Sequence, residues 1–272
     1  MPKYEGGLMI CPFCEKEVSE FHPNSHIIPE WIYEENSYDE KHRAIGLNLD
    51  NLEKENNVQQ GYRGSFICRT CETNFSKNDR YGSLLLSSKG KDSKIQKDLV
   101  VETRTCQTDI GNTEVSFWSN FKFKELQNFI FSILIRDHLW RKANKRAQLN
   151  DEHYQKIKSL YLNETLIDDV SYPILVVKLV KNGMPSRGVF LPYVYRFVDD
   201  HRAYAFKGAG FLFHTLISSH KKPPSTEVQK IQKDGTVCIV HMPFEETDIF
   251  KKALPRILKI RETDARQKTL QP

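Results

Sequence analysis

The sequence predicts an α+β fold in two units, a cysteine-bracketed unit over residues 1–95 and a helical and antiparallel-sheet unit over residues 96–272. Three observations support this fold class. Two CxxC pairs stand in the loop-rich first hundred residues. Residues 122–149 have the apolar spacing of one long helix. Segments between residues 172 and 242 are rich in β-branched and aromatic residues, which is typical of strands.

The two cysteine pairs predict a structural zinc site. Cys11-Pro-Phe-Cys14 and Cys68-Arg-Thr-Cys71 each place two sulfurs on one tight turn, and two such turns supply four thiolates for tetrahedral zinc. The alternative is a pair of unrelated or redox-active turns, which the second matching pair disfavours. Cys14 and Cys68 are separated by 53 residues, whereas a compact zinc ribbon has roughly 15–20. We therefore expect a functional unit inserted between the two turns.

The composition indicates a globular protein with unevenly distributed charge. Of the 272 residues, 39% are hydrophobic and 11% are aromatic. Residues 1–60 carry five Lys or Arg against twelve Asp or Glu, a net charge of −7, and the remainder carries +12. An acidic, metal-binding end and a basic body suit a protein that places a metal beside a polyanion. A solvated surface of mixed sign explains the same charges equally well.

The first unit is predicted to consist of short elements around the two cysteine turns. They are a strand at 8–10, a strand at 25–28 ended by Pro29, a helical turn at 30–35, a polar loop at 37–60, a turn at 61–64, a strand at 65–67, a helix at 72–86 and a flexible basic linker at 87–100.

The second unit is predicted to consist of helices and a mostly antiparallel sheet. The elements are a hairpin at 101–121 turning at Gly111-Asn112, helices at 122–149 and 151–163, strands at 172–181, 188–197, 203–218 and 236–242, and a closing helix at 245–261. Because the 122–149 helix is apolar on several sides, we expect it to be buried or to form a homodimer contact. Cations at its C-terminal end, Arg136 among them, complement the helix dipole or contact phosphate.

Three residues between and after the cysteine turns are candidates for catalysis. His26 lies in the segment Ser25-His26-Ile27-Ile28-Pro29, and imidazole titrates near neutral pH. From the residues alone, a general base, a structural ligand and a plain surface histidine are equal interpretations. Glu72 and Asp79 are seven residues apart on the predicted helix, so both can face one side and offer oxygen ligands to a hard cation. An acid near a helix start is also commonly a dipole complement.

Residues 8–82 resemble the HNH nucleases of the ββα-metal class, in the variant written CxxC…SHIIP…CxxCE. His26 matches the histidine of that pattern, whereas Ser25 stands where an acid is usual and Glu72 where Asn or His is usual. The resemblance implies a zinc-stabilised ββα-metal domain that cleaves DNA, with double-stranded DNA as the expected substrate. It further implies that His26 is the general base and that Glu72, with Asp79, binds Mg²⁺ or another divalent cation. A role in defence against foreign DNA fits many members of this class.

Two other functions stay open at this point. One is a non-catalytic zinc module that binds nucleic acid or protein, and the other is a nuclease gated by a sensor in the second unit, with a partner protein unknown. The N-terminus lacks a signal-peptide pattern, and no apolar run is long enough to cross a bilayer. We therefore expect a cytoplasmic protein without membrane contact.

Overall fold

The structure, a computed structural model, describes residues 8–38, 44–47, 55–58, 61–108, 111–144, 149–166, 168–196, 201–217, 224–247 and 251. Its helices are α1 (Glu30–Asn36), α2 (Arg69–Leu86), α3 (Lys94–Asp98), α4 (Phe123–Ala143), α5 (Asp151–Leu162) and α6 (Pro224–Gln229). Its strands are β1 (Met9–Ile10), β2 (Glu17–Val18), β3 (Ser25–His26), β4 (Ala44–Leu47), β5 (Glu55–Val58), β6 (Arg63–Gly64), β7 (Val100–Thr108), β8 (Gly111–Ser119), β9 (Ile174–Lys181), β10 (Met184–Pro185), β11 (Phe190–Arg196), β12 (Arg202–Gly208), β13 (Phe211–Leu216) and β14 (Val237–Pro243).

One large mixed sheet forms the body of the protein. Its strand order is β11-β12-β13-β9-β14-β8-β7, with β10 paired to β9. All pairs are antiparallel except β9 with β14. Three two-stranded ribbons, β1-β2, β3-β6 and β4-β5, complete the described strands. The α+β class and the mostly antiparallel sheet are confirmed, whereas the ββα-metal identity of the first unit stays a prediction.

Helix α4 lies in the core between the sheet and the other long helices. Side chains on several of its sides are fully buried, among them Phe129, Ile130, Ile133 and Leu134. They contribute to one hydrophobic core with α2, α5 and the inner face of the sheet. The described residues of this helix therefore bury most of their apolar surface inside this chain, and a homodimer through residues 122–149 stays a prediction. No helix in the described part of the chain is both long and apolar enough to cross a membrane.

Several local predictions for the first unit were wrong. The polar loop at 37–60 contains the β4-β5 ribbon, and the ribbon strand near the second cysteine pair is β6, which starts two residues before the predicted strand at 65–67. The predicted flexible linker instead folds into a 3₁₀ turn at 88–90 followed by α3. Gln96 fixes this segment, because its side-chain amide donates to the carbonyl oxygens of Leu85, at 3.2 Å, and Ser87, at 2.8 Å.

Predictions for the second unit were closer, with three differences. The predicted hairpin turn at Gly111-Asn112 was wrong, because both residues lie in β8 and pair with Thr108 and Gln107 of β7. The predicted strand at 203–218 is the hairpin β12-β13, which turns at Ala209 and Gly210, both with positive φ. Helix α6 lies between the predicted strands at 203–218 and 236–242, where no element was predicted. The predicted closing helix falls mostly outside the described residues, and so do the two residues between β7 and β8.

The two predicted units share one core. Phe75 of α2 packs against Tyr161 of α5, with ring centroids 5.3 Å apart, and Gly82 of α2 lies against the Phe129 ring. Lys158 of α5 reaches back to Glu15 in the first cysteine turn, at 2.6 Å. The division at residue 95 stays a prediction of sequence organisation, and the hydrophobic core continues across it.

The close approach of α2 and α4 generates a prediction for Gly82. A Cβ atom at this position would lie 2.5 Å from the Phe129 ring, so Gly82→Ala should destabilise the protein by about 1–3 kcal/mol through overpacking. The sign of the change in stability is diagnostic. Without this contact, alanine would stabilise the helix relative to glycine by about 1 kcal/mol. The measurement is urea denaturation, with Ser76→Ala on the exposed side of α2 as the control. A stabilised Gly82→Ala would contradict the packing.

Candidate functional site

The four predicted zinc ligands come together in one cluster. The sulfurs of Cys11, Cys14, Cys68 and Cys71 all lie within 4.8 Å of one another. The Cys11–Cys71 and Cys14–Cys68 sulfur distances are both 3.9 Å, and Cys68–Cys71 is 3.4 Å. A tetrahedral zinc with Zn–S bonds of about 2.3 Å requires sulfurs about 3.8 Å apart. No described cysteine forms a disulfide, so the four thiols fit a metal such as zinc.

Two local structures aim these sulfurs at one point. The β1-β2 ribbon turns through the first pair, closed by Glu15 in the left-handed region at φ 60°. Helix α2 begins directly after Cys68, which places Cys71 in its first turn. The Cys68 N–H donates to the Cys11 sulfur at 3.4 Å and so joins the two turns.

The cysteine pKa values fit the presence of a metal ligand set. Burial alone would raise the pKa of Cys11, but backbone N–H groups of neighbouring residues bring it down to about 7. Burial raises the pKa of Cys71. A thiol of raised pKa in a cluster of four stays protonated without a cation, and a bound metal ionises it.

The ribbon β3-β6 holds His26 in place. The next two residues, Ile27 and Ile28, are completely buried and anchor the segment in the core. The Ile27 N–H donates to the Tyr62 carbonyl at 3.0 Å, which continues the pairing begun by β3. Because the chain is fixed on both sides, the imidazole has a defined position with 24% of its side chain exposed.

Glu30, the first residue of α1, is the carboxylate beside His26. Its Oε2 atom lies 3.4 Å from His26 Nε2, although the two atoms form no hydrogen bond. The carboxylate is itself held, since it accepts from the Tyr38 hydroxyl at 2.7 Å and from the Gly61 N–H at 3.3 Å. Sequence reasoning gave Glu30 no role, because a spacing of four residues brings side chains together only within one helix, whereas His26 lies in β3 and Glu30 begins α1.

Burial lowers the pKa of His26 below its ordinary value, because the charged imidazolium loses hydration. Glu30 and, more weakly, Asp79 oppose this shift. The guanidinium groups of Arg136 and Arg63 add to it. His26 is therefore neutral at physiological pH and can accept a proton.

Glu72 lies on α2 next to the zinc cluster, one residue after Cys71. Burial raises the pKa of its carboxyl, while Arg136 and the Ser25 hydroxyl lower it, as does His22 to a smaller extent. Among the described residues, neither its Oε2 atom nor the hydroxyl of Ser25, which is 0% exposed, has a hydrogen bond of full geometry, although the hydroxyl lies close enough to lower the pKa of the Glu72 carboxyl. Buried polar atoms are rarely left unsatisfied, so the Ser25 and Glu72 oxygens, and separately His26 Nε2 beside Glu30, are positions where a polar ligand would fit.

Asp79 lies on the same helix but is already engaged. Its two oxygens accept from Arg136 Nη1 at 2.9 Å and Nη2 at 2.7 Å in a two-pronged ion pair. Burial raises the pKa of Asp79, and the guanidinium opposes that rise. Its role as a second ligand for a divalent cation stays a prediction, and the structure adds that such a cation must share this carboxylate with Arg136.

His26, Glu72 and Asp79 lie on one side of α2, but their side chains do not form a preformed set of oxygen ligands for a cation. In the described part of the chain, the four cysteines are the only group of three or more His, Cys, Asp or Glu close enough to hold a metal. The four cysteines therefore supply a full set of ligands for zinc. For a second cation, the available ligand is the unsatisfied oxygen of Glu72. The nearby His22 ring accepts from the Asn24 N–H at 3.3 Å within its turn.

The cysteine cluster predicts a strong dependence on metal. We expect one zinc per chain and its loss in Cys71→Ser, while Cys106→Ser, on strand β7, keeps it. Structural zinc supplies an apparent binding free energy of about 10–16 kcal/mol, comparable to the whole stability of a domain, so Cys71→Ser should unfold the first unit. Metal analysis with circular dichroism tests this. Full zinc and unchanged unfolding in Cys71→Ser would show that the cluster holds no structural metal.

Comparison of this chain with protein-family models, with curated proteins and with solved structures finds no match. Its function is therefore argued from the geometry of the site.

Proposed function

We propose that this protein is a zinc-stabilised, metal-dependent endonuclease of the HNH type that hydrolyses phosphodiester bonds in DNA, with double-stranded DNA as the substrate. The observation that carries the proposal is the group of buried, unsatisfied polar atoms on Ser25, His26 and Glu72, next to the four-cysteine cluster. A neutral histidine and an unpaired carboxylate oxygen are what metal-assisted phosphodiester hydrolysis requires. The reduced cysteines agree with a cytoplasmic location.

His26 acts as the general base in this proposal. Its Nε2 atom faces the Glu30 carboxylate at 3.4 Å without a hydrogen bond, and the negative charge of that carboxylate favours the tautomer with the proton on Nε2. Nδ1 then carries the lone pair that removes a proton from water. The water oxygen bonds to phosphorus, the bond from phosphorus to the 3′ oxygen breaks, and the leaving oxygen takes a proton from solvent. Hydrogen bonds of catalytic groups, such as the one expected between His26 and Glu30, are commonly long before substrate binds.

Glu72 is the residue that would hold a divalent cation, with Asp79 as a shared second ligand. Such a cation neutralises charge on the phosphate and on the leaving oxygen. The chain prepares Glu72 for this role through Arg136, whose positive charge lowers the pKa of the Glu72 carboxyl and favours its ionised form. Its position next to Cys71 also ties the carboxylate to the rigid zinc cluster.

A non-catalytic zinc module is the second candidate function. The two-pronged contact of Arg136 with Asp79 favours it, because it removes one of two expected cation ligands. Under this function the basic body would bind nucleic acid or protein, and the His26 region would be a remnant of a catalytic site.

Plasmid cleavage separates these two functions. With Mg²⁺, Mn²⁺ or Ni²⁺, the wild-type protein should nick and linearise plasmid DNA. His26→Ala should lower the rate by about 10²–10⁴-fold, as expected for loss of a general base, and Glu72→Gln should lose metal-dependent activity. Glu17→Gln, on exposed strand β2, is the control, and zinc content is measured in every variant so that unfolding is recognised.

Each outcome points to one function. An inert wild type with every metal would favour the binding module over the nuclease. Active, zinc-loaded His26→Ala and Glu72→Gln variants would place the active site elsewhere in the protein.

The pH dependence of cleavage tests the state of His26. The base acts when neutral, so kcat/KM should rise with pH through the pKa of His26, with a midpoint below 6.5 because burial lowers that pKa. Glu30 raises the pKa of His26, so Glu30→Gln should move the midpoint to still lower pH while also lowering the maximal rate. An upward shift in Glu30→Gln would contradict the assignment of His26 as the base.

A further inference from the structure

Arg63 stands directly opposite His26 in the β3-β6 ribbon. The pairing places Ser25 across from Gly64 and His26 across from Arg63. Directly opposed residues of an antiparallel pair have Cβ atoms about 4.5–5.5 Å apart on the same face. Arg63 therefore projects from the ribbon on the same side as the imidazole, and its charge reaches His26 strongly enough to lower the pKa of that residue.

The backbone around Arg63 is fixed on both sides. Tyr62 packs edge-on against Trp140 of α4, with ring centroids 6.2 Å apart, and its N–H donates to the Tyr33 hydroxyl at 3.4 Å. Gly64 also faces Trp140, since a Cβ atom there would lie 3.5 Å from the indole. An arginine whose backbone is held so rigidly loses little conformational entropy when its guanidinium binds a ligand.

Unlike the other arginines near the site, Arg63 has no acidic partner among the residues that the structure describes. Arg136 is paired with Asp79, and Arg141 with Asp137. Arg63 is partly buried, yet it forms no ion pair with any described carboxylate, Glu30 included, although Glu30 contacts the neighbouring His26. A partly buried guanidinium beside a candidate base, with no counter-charge among the described residues, is poorly explained by stability.

We propose that Arg63 binds the scissile phosphate of the DNA backbone beside His26. This inference rests on the proposed nuclease function and adds a catalytic residue to it. Guanidinium groups match phosphate oxygens with two parallel hydrogen bonds, and the charge that develops on those oxygens in the transition state strengthens the contact. The attacking water must lie between the base and phosphorus, and the opposed positions of His26 and Arg63 place both groups around that space.

The experiment uses the full chain and separates binding from cleavage. Binding to a short duplex without added divalent cation is measured at several salt concentrations, and cleavage of the same duplex is measured with Mn²⁺. Arg63→Ala should lower the salt slope of log K by about 0.9, the value for one lost phosphate contact, and should lower the cleavage rate about 10²–10³-fold. Arg63→Lys should restore the slope but only part of the rate, because lysine keeps the charge and loses the two-pronged geometry.

Arg104→Ala, on β7 at one edge of the large sheet, which does not include the β3-β6 ribbon, is the control and should leave both quantities unchanged. An Arg63→Ala variant with wild-type slope and wild-type rate would overturn the role of Arg63 while the nuclease function stands. A wild-type protein that neither binds nor cleaves the duplex would overturn both. A reduced slope in Arg63→Ala beside an inert wild type would keep the phosphate contact and reject the nuclease.

Discussion

The buried ion pair between Arg136 and Asp79 is the contact on which the arrangement of the site depends. Arg136 is 0% exposed on α4, within the body, whereas Asp79 belongs to the helix that starts at the second cysteine pair. The two-pronged geometry fixes both the distance and the orientation of the two helices. Losing one partner of such a pair leaves a buried charge and costs about 3–5 kcal/mol. Helix α2 is thus held at its start by the cysteine cluster and further along by Arg136, and Glu72 lies between these two points.

The same guanidinium sets the charge states that the proposed chemistry needs. A general base must be neutral and a cation ligand must be ionised, and one positive charge favours both states. Arg136 lowers the pKa of His26, adding to the effect of burial, and it lowers the pKa of Glu72, against the effect of burial. One buried cation from the body therefore acts on two groups of the cysteine-bracketed segment, although at Glu72 burial outweighs it and the pKa of the carboxyl stays raised.

Local spacing explains what the sequence could predict. The cysteine cluster, the α4 helix and the antiparallel sheet follow from CxxC pairs, helical period and β-branched runs. The opposition of Arg63 and His26 could not be predicted, because it depends on the register of two-residue strands far apart in the chain. The role of Arg136 was hidden for a different reason. A cation near a helix C-terminus is already explained by the helix dipole, and the acidic partner on another helix becomes visible only through tertiary packing.

The engaged state of Asp79 has a consequence for how a nuclease of this design would assemble its site. Two free carboxylates on one side of α2 would repel each other and raise their pKa values. Arg136 neutralises the charge of Asp79, which leaves Glu72 as the available acid on this side of the helix. A hard cation needs about six oxygen ligands, so phosphate oxygens and waters must supply most of them. In the proposed function, cation and DNA therefore bind together, with Arg63 neutralising the phosphate charge that the sparse carboxylate set leaves uncompensated.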